Sequence, residues 1–358
     1  MSSSDEAGSL TKGGRSGGHL TSRDIARAAG VSQATVSNVL NRPELVAPET
    51  VLRVREVMEN LGFVPNDSAR SLRVGRTRTL GVVTLDLSNP FWGEVTRGIE
   101  TVASAHGLPV LFGASEEKLA KELQFLRLFQ EHRVDSVLLS SVDVDSPVLR
   151  DIHRRGTKVV ILDQSDPEGH YSSVTFNHVA GARLVAEHLI RYGHRRIAFL
   201  NGPESVPWCR ARSWGLREGL RAGGVDPDEA VLEFTIKSMT AQSAEPAVGT
   251  LLKSGFKPTA VFCVNDMVAL GVLKVLSQRG IRVPDDLSIV GFDDSYFSSL
   301  LSPALTTVRQ QPYELGKKAT ETVISLNSEA GPVTYVFEPE IMLRDSVLDI
   351  SGLAPGRR

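Results

Sequence analysis

From Leu80 onward the chain alternates short β-branched runs with amphipathic segments, and no other feature of its 358 residues restricts the fold as strongly. The clearest runs are residues 80–87 (LGVVTLDL), 136–140 (SVLLS), 158–163 (KVVILD), 196–201 (RIAFLN), 260–265 (AVFCVN) and 287–293 (LSIVGFD). Apolar strands separated by helix-length segments are what a parallel sheet covered on both faces requires, because parallel neighbours need a long crossover. So many strands exceed one small sheet, and the economical arrangement is two lobes facing each other across a cleft. Several runs end in Asp, Asn or Ser. In open parallel sheets ligands sit beyond the carboxyl ends of the strands, so these polar ends are candidates for a binding site.

Composition narrows the class. Hydrophobic residues at 41% and charged residues at 23% are those of a globular protein, and no apolar run approaches a membrane span. The N-terminus lacks the basic start and apolar stretch of a secretory signal, so a cytoplasmic location is expected. The two cysteines, Cys209 and Cys263, are too few for a disulfide framework and lie in no metal-ligand spacing. Charge is uneven: residues 20 to 78 carry nine Lys/Arg against six Asp/Glu, a net of +3 in a chain whose total is −2. The positive end is the candidate nucleic-acid end, although a run of arginines is by default a solvated face.

Residues 1 to 19, rich in Ser and Gly, are expected to form a disordered tail. The pattern then turns helical over Asp24 to Ala29, Ser32 to Asn41 and Glu49 to Leu61, with Val54, Met58 and Leu61 on one stripe. Gly30 ends the first segment, Pro43 forbids continuation of the second, and Pro48 suits the first turn of the third. Ala26 permits close approach of two helices, Gly30 tolerates a left-handed turn, Val36 packs the second helix onto the first, and Ser32 caps it. This is helix-turn-helix geometry; a purely structural helical hairpin is the competing interpretation.

The flanks favour the first. In TSRDIARAAGVSQATVSNVLN and VAPETVLRVREVMENLGFVPNDSARSLR the sequence resembles the LacI/GalR family of transcription regulators. The resemblance implies that Gln33, Ala34 and Asn38 read bases, that Thr21, Ser32, Thr35, Ser37 and Asn41 contact phosphates, and that Ala69, Arg70 and Leu72 form a minor-groove hinge. Gln and Asn each donate and accept toward an adenine edge, while Ala offers apolar contact to a thymine methyl. Leu72 is the expected wedge between base steps, with a plain linker contact as the alternative. Ala47 stands where the family often has Ser, so a hydroxyl cap is missing before Pro48.

The remainder, through SNPFWGEVTRGIE (88–100), RYGHRRIAFLNGP (191–203), VNDMVALGVL (264–273), LSIVGFDD (287–294) and LTTVRQ (305–310), resembles the family's periplasmic-binding-protein-like effector domain. The implied architecture is α/β: an all-α headpiece plus two doubly wound parallel-sheet lobes. The expected boundaries are a headpiece over 20–64, a hinge over 65–78, an effector and dimerisation domain over 79–350, and a tail over 351–358. Within that domain the N-lobe is expected over 79–163 and 294–325, and the C-lobe over 164–293 and 326–350. The resemblance assigns Phe91, Trp92, Ser140, Asp163, Arg212, Asn265 and Asp293 to the effector, and Trp208, four residues before Arg212, is a further candidate. Carboxylates and an amide engage hydroxyls, Arg212 forks onto oxygen acceptors, and aromatic rings stack on a sugar. The alternative for Asp163 and Asp293 is helix capping, and for Trp208 it is plain packing.

His194 is expected to be structural, because it lies between a helix end and a strand. The Asp293–Asp294 pair is not expected to be a dyad, because adjacent strand-end residues point in different directions. With no Walker loop, HExxH, nucleophile elbow or metal spacing, neither enzyme, cofactor nor metal is expected. The expected function is a homodimeric repressor that binds a near-palindromic operator in duplex DNA under control of a small molecule, a sugar first. The alternatives are a nucleobase effector, a protein corepressor, or a sugar-binding protein that does not regulate DNA. The C-terminus holds no leucine heptad for higher assembly.

Overall fold

A computed structural model describes residues 20–63, 77–327 and 331–352. The chain divides into two units, Met1–Gly75 and Arg76–Arg358. The expected tail 1–19 and the hinge candidates Ala69, Arg70 and Leu72 lie outside the described residues.

Among its described residues the first unit holds three helices, α1 (Ser22–Ala29), α2 (Gln33–Asn41) and α3 (Pro48–Asn60), and a 3-10 turn at Pro43–Leu45. At the start of α1 the Asp24 carboxylate accepts the Thr21 backbone N–H at 2.9 Å, and α1 ends at Gly30 with φ +66°. That left-handed turn is accessible to glycine without a Cβ penalty. Ser32 caps α2, its Oγ accepting the Thr35 N–H at 3.0 Å, whereas Ala47 provides no side-chain cap for α3. Ile25, Ala26, Ala29, Val36, Val39, Val54 and Met58 form the core. Leu61 departs from the expected stripe: α3 stops at Asn60, and Leu61 turns outward at 43% exposure.

The second unit contains two six-stranded sheets. Its elements are β1 (Thr77–Thr84), α4 (Pro90–Ala105), β2 (Val110–Ala114), α5 (Leu119–Glu131), β3 (Val134–Leu139), α6 (Pro147–Arg154), β4 (Lys158–Leu162), β5 (Ser172–Phe176) and α7 (His178–Arg191). They continue with β6 (Ile197–Asn201), α8 (Pro207–Ala222), α9 (Pro227–Ala230), β7 (Val231–Thr235), α10 (Ala244–Lys253), β8 (Ala260–Cys263), α11 (Asp266–Gln278), β9 (Ser288–Asp293), β10 (Thr306–Arg309), α12 (Pro312–Ser325), β11 (Thr334–Phe337) and β12 (Glu340–Met342). The first sheet runs β11-β5-β4-β3-β1-β2 and is wholly parallel. The second runs β12-β10-β9-β8-β6-β7, parallel except that β12 is antiparallel to β10.

Sheet membership corrects the lobe boundaries read from the sequence. Residues 172–176 and 334–337, placed by that reading in the C-lobe, pair into the first sheet, with Ile161 opposite Ser173 and Ser173 opposite Thr334. Residues 306–309, placed in the N-lobe, pair with β9 in the second sheet. A strand joins the sheet whose free edge it can hydrogen-bond, and that partner is not written in the strand's own residues. The chain therefore passes between sheets after Phe176, after Arg309 and after Phe337. Helix α12 does belong to the first lobe, seated on α4 so closely that a Cβ at Gly98 would lie 2.1 Å from the Tyr313 carbonyl oxygen and one at Gly316 2.1 Å from that of Val95.

Candidate functional site

In the first unit, α2 buries Val36 and Val39 and exposes Gln33, Ala34 and Asn38 on its other side. The three base-reading candidates thus share a solvent-facing surface. Gln33 Nε2 donates to Ser22 Oγ at 2.9 Å, which ties the start of α2 to α1. Of the phosphate candidates, Thr21, Ser32 and Asn41 are exposed and Thr35 and Ser37 half-buried; Asn41 Nδ2 donates to the Ser37 carbonyl at 2.8 Å, and the Ser32 and Thr35 hydroxyls are 2.8 Å apart. Arg23, Arg27, Arg42, Arg53 and Arg55 are all exposed on this unit. The net charge hinted at them, but no spacing singled them out.

In the second unit the structure brings Asp163, Arg212 and Asp293 together, all buried. Asp163 follows β4 and Asp293 closes β9, with φ +59° and +115°, conformations that non-glycine residues adopt at some cost. Arg212 comes from the second turn of α8. Its guanidinium carbon lies 3.7 Å from the Phe292 ring centre and 4.5 Å from that of Trp208, Nη1 donates to the Val264 carbonyl, and Nη2 is 3.8 Å from Asp293 Oδ1. Arg212 Nε is buried without a partner. Burial lowers the Arg212 pKa, opposed by Asp293. Burial likewise pushes Asp293 well above the ordinary carboxylate range, since the ion pair is too long to offset desolvation.

Two residues at this site escaped the sequence reading. His178, the first residue of α7, lies with Nε2 3.1 Å from Asp163 Oδ1 and Nδ1 3.4 Å from Arg212 Nη2. Gln310, just after β10, places Nε2 3.3 Å from the same Nδ1 and leaves its Oε1 buried and unpartnered. His178 opens a helix and Gln310 follows the charged Arg309, so neither ends an apolar run as Asp163 and Asp293 do.

The other candidates divide. Asn265 has a structural role: Oδ1 caps α11 by accepting the Val268 N–H at 2.8 Å, and Nδ2 donates to the Met239 carbonyl at 3.0 Å. Phe91 and Trp92 are buried in the first lobe's core, their rings edge-on at 5.1 Å, and Phe91 meets Phe176 at 6.1 Å. Trp208, half-buried, packs on the apolar cores of both lobes. Ser140 is buried at the end of β3, its N–H bonded to Val83 O at 2.9 Å. Asp294 turns away from Asp293 to pair with Arg309 at 2.7 Å and with Arg344. Asp266, beneath the site, accepts from Ser295 N, Ser298 Oγ and Thr307 Oγ1, each at 2.7 Å, and burial pushes its pKa up to about 6.

His194 bonds Thr259 Oγ1 at 2.8 Å and Leu348 O at 3.1 Å, joining chain segments as a structural residue does. Among the described residues no three His, Cys, Asp or Glu form a group able to hold a metal, and no helix is long and apolar enough to cross a membrane. Two cavities, about 290 and 350 Å³, lie elsewhere on the second lobe and have none of these cluster residues in their walls.

Comparison with known proteins agrees with this division. Residues 21–66 match the model for bacterial regulatory proteins of the lacI family, and residues 186–347 match a periplasmic binding protein-like domain. The chain is 31% identical to the HTH-type transcriptional repressor PurR of Photobacterium profundum over 92% of this chain and 99% of that protein. It is 32% identical to the transcriptional regulator RegA of Clostridium saccharobutylicum over 91% and 98%. Among solved structures, the lac repressor dimer bound to operator and the anti-inducer ONPF has a TM-score of 0.82 at 28% identity, covering 92% of this chain and all of that one. A CelR–cellobiose complex matches with a TM-score of 0.67 at 29% identity over 92% and 100%, and an Enterococcus faecium regulator with bound ribose with 0.68 at 25% over 76% and 99%.

Proposed function

The chain belongs to the lacI family of bacterial regulatory proteins, and from that premise we propose that it is a DNA-binding transcriptional repressor whose hold on an operator is set by a small molecule bound between the two lobes of the second unit. The observation that carries the ligand part is Arg212: a buried guanidinium bearing an unpartnered Nε, flanked by Asp293 and His178. Buried polar groups are normally satisfied, so an orphan donor in such a cluster marks a place for a ligand acceptor.

A sugar is the first reading. Asp163 and Asp293 accept from hydroxyls, Arg212 donates to oxygens, and Trp208 offers an aromatic face. The ribose- and cellobiose-bound neighbours support it. A nucleobase is the second: Arg212 and Gln310, which both contact His178, carry an unpartnered Nε donor and an unpartnered Oε1 acceptor, the two kinds of group that a lactam edge engages, and relatives named PurR point the same way.

The working form is a homodimer on a near-palindromic operator, each α2 entering a major groove with Gln33, Ala34 and Asn38 toward base edges. The operator-bound dimer among the structural neighbours supports this. Exposed apolar side chains on the second unit, Leu111 and Phe112 on edge strand β2 and Tyr296 and Leu300 after β9, are suited to a partner subunit. Ligand shifts the lobes, the lobes set the separation of the two hinge segments, and by linkage operator DNA changes ligand affinity by the same factor.

The test is anisotropy titration of the full chain with duplexes from its own upstream region, at physiological salt, with D-ribose, cellobiose, hypoxanthine or guanine. Preference for one duplex over a random one, changed at least severalfold by one of these molecules, is expected. No preference with any of them defeats the proposal.

A further inference from the structure

His178 stands where the first of the three crossings between the sheets ends. Phe176 closes β5 in the first sheet, and His178 opens α7, which packs on α8 of the second lobe. The rings of Phe176, Trp208 and Phe292 lie 6.3, 6.3 and 6.4 Å from the imidazole, so it is walled by aromatic groups of both lobes. Its polar partners are likewise divided: Asp163 from the end of a first-sheet strand, Arg212 from a second-lobe helix, and Gln310 from the second crossing.

The chemistry of these partners fixes the proton. A guanidinium carries only N–H donors, so the nitrogen that faces Arg212 must accept. Nδ1 is that nitrogen, and Gln310 Nε2 donates to it as well. The ring hydrogen then sits on Nε2, which donates to the Asp163 carboxylate at 3.1 Å. No ion pair links Asp163 to Arg212 directly among the described residues, so the imidazole is the polar bridge between them.

We propose that His178 is the positioning residue of the cleft: as the neutral Nε2–H tautomer it holds Asp163 of one lobe and Arg212 of the other in register, so that lobe closure and presentation of Arg212 Nε to the ligand are one event. The inference rests on the reading that a small molecule binds between the lobes, but its first test does not.

In the full chain labelled with 15N-histidine, two-bond proton–nitrogen correlations, with His178 identified by its loss in His178→Asn, report the tautomer. An unprotonated Nδ1 and a protonated Nε2 are expected; a proton on Nδ1 overturns the proposal. The second test needs no ligand either. A double-mutant cycle of His178→Ala and Asp163→Asn in urea unfolding, read by tryptophan fluorescence, must show coupling, and additive losses overturn it.

The third uses whichever of D-ribose, cellobiose, hypoxanthine or guanine binds the wild type by calorimetry. His178→Ala loses roughly tenfold or more in affinity, the worth of a hydrogen bond to a charged group. His178→Asn, which keeps an acceptor near Nδ1, and His178→Gln, which keeps a donor near Nε2, each recover part of it. Equal affinity in all four proteins overturns the proposal. Should no molecule bind the wild type, the ligand reading fails on its own, while the tautomer and the cycle still decide the role of His178.

Discussion

Glu122 offers the most quantitative check on how the cleft-side loops are held. It lies in the first turn of α5, fully buried, and receives the Ser141 hydroxyl at 2.9 Å and the Val142 N–H at 2.5 Å. It therefore anchors the loop that follows Ser140, one of the cleft candidates. Burial is the largest influence on the carboxyl and pushes its pKa from an ordinary 4.5 to about 7, against the opposing effect of those two hydrogen bonds. A carboxyl whose folded pKa lies above its unfolded one binds more protons when folded, so stability falls as pH rises through the window from about 4.5 to about 7.

At about 1.4 kcal/mol per pH unit, the full penalty above that window is on the order of 3 kcal/mol. Glu122→Gln removes the charge while keeping an acceptor for the Val142 N–H and a donor for the Ser141 hydroxyl, so it imitates the protonated acid. The substitution is expected to stabilise the second unit by about 3 kcal/mol near pH 8 and by no more than about 1 kcal/mol near pH 5. All three tryptophans, Trp92, Trp208 and Trp214, lie in that unit, so urea unfolding followed by their fluorescence reads it selectively. An advantage of the same size at both pH values refutes the reasoning.

Two further outcomes follow from the packing and the recognition surface. Gly98→Ala drives a methyl to 2.1 Å from the Tyr313 carbonyl oxygen, so α4 and α12 must separate; a loss of about 1–3 kcal/mol in the same unfolding assay is expected, with the headpiece's helical transition unmoved. Asn38→Ala on the exposed side of α2 should cost about 1–3 kcal/mol for the preferred operator and little for random duplex, measured by anisotropy, whereas Arg53→Ala should weaken both alike and flatten the salt dependence.

What was legible in the sequence was whatever local pattern determines. Strands β4, β6, β8 and β9 are fully or almost fully buried, so they had to be continuous apolar runs, and they were read within two residues of their ends. The headpiece was equally open to reading, because Ser32, Gly30 and Pro48 act on their immediate neighbours. The lobe boundaries were not, since the sheet that β11 joins is decided by a partner about 160 residues away, Ser173 opposite Thr334. The same holds for the site. Asp163 and Asp293 end apolar runs and so declared themselves. His178 meets Gln310 across 132 residues of sequence, and locally it is only the first residue of an amphipathic helix. Asn265 shows the converse ambiguity: a polar strand-end residue before a helix is as well suited to cap that helix as to hold a ligand, and here it does cap.

The grouping of buried charge also bears on the sense in which ligand acts. Arg212, Asp163 and Asp293 are withdrawn from water, and the long Arg212–Asp293 contact repays little of that cost. Apolar side chains of equal volume would pack here more favourably, so a buried cluster with an orphan Nε and an orphan Oε1 is a compromise from which stability can still be gained. A ligand can supply that gain only by donating to Asp293 or Gln310 and accepting from Arg212, and these groups, which belong to the second lobe or to the crossing after β10, are bridged to Asp163 of the first lobe through His178. On the proposed reading, a molecule that engages these groups binds best where Asp163 and Arg212 are held together, and that difference in affinity is the free energy available to change the hold on DNA.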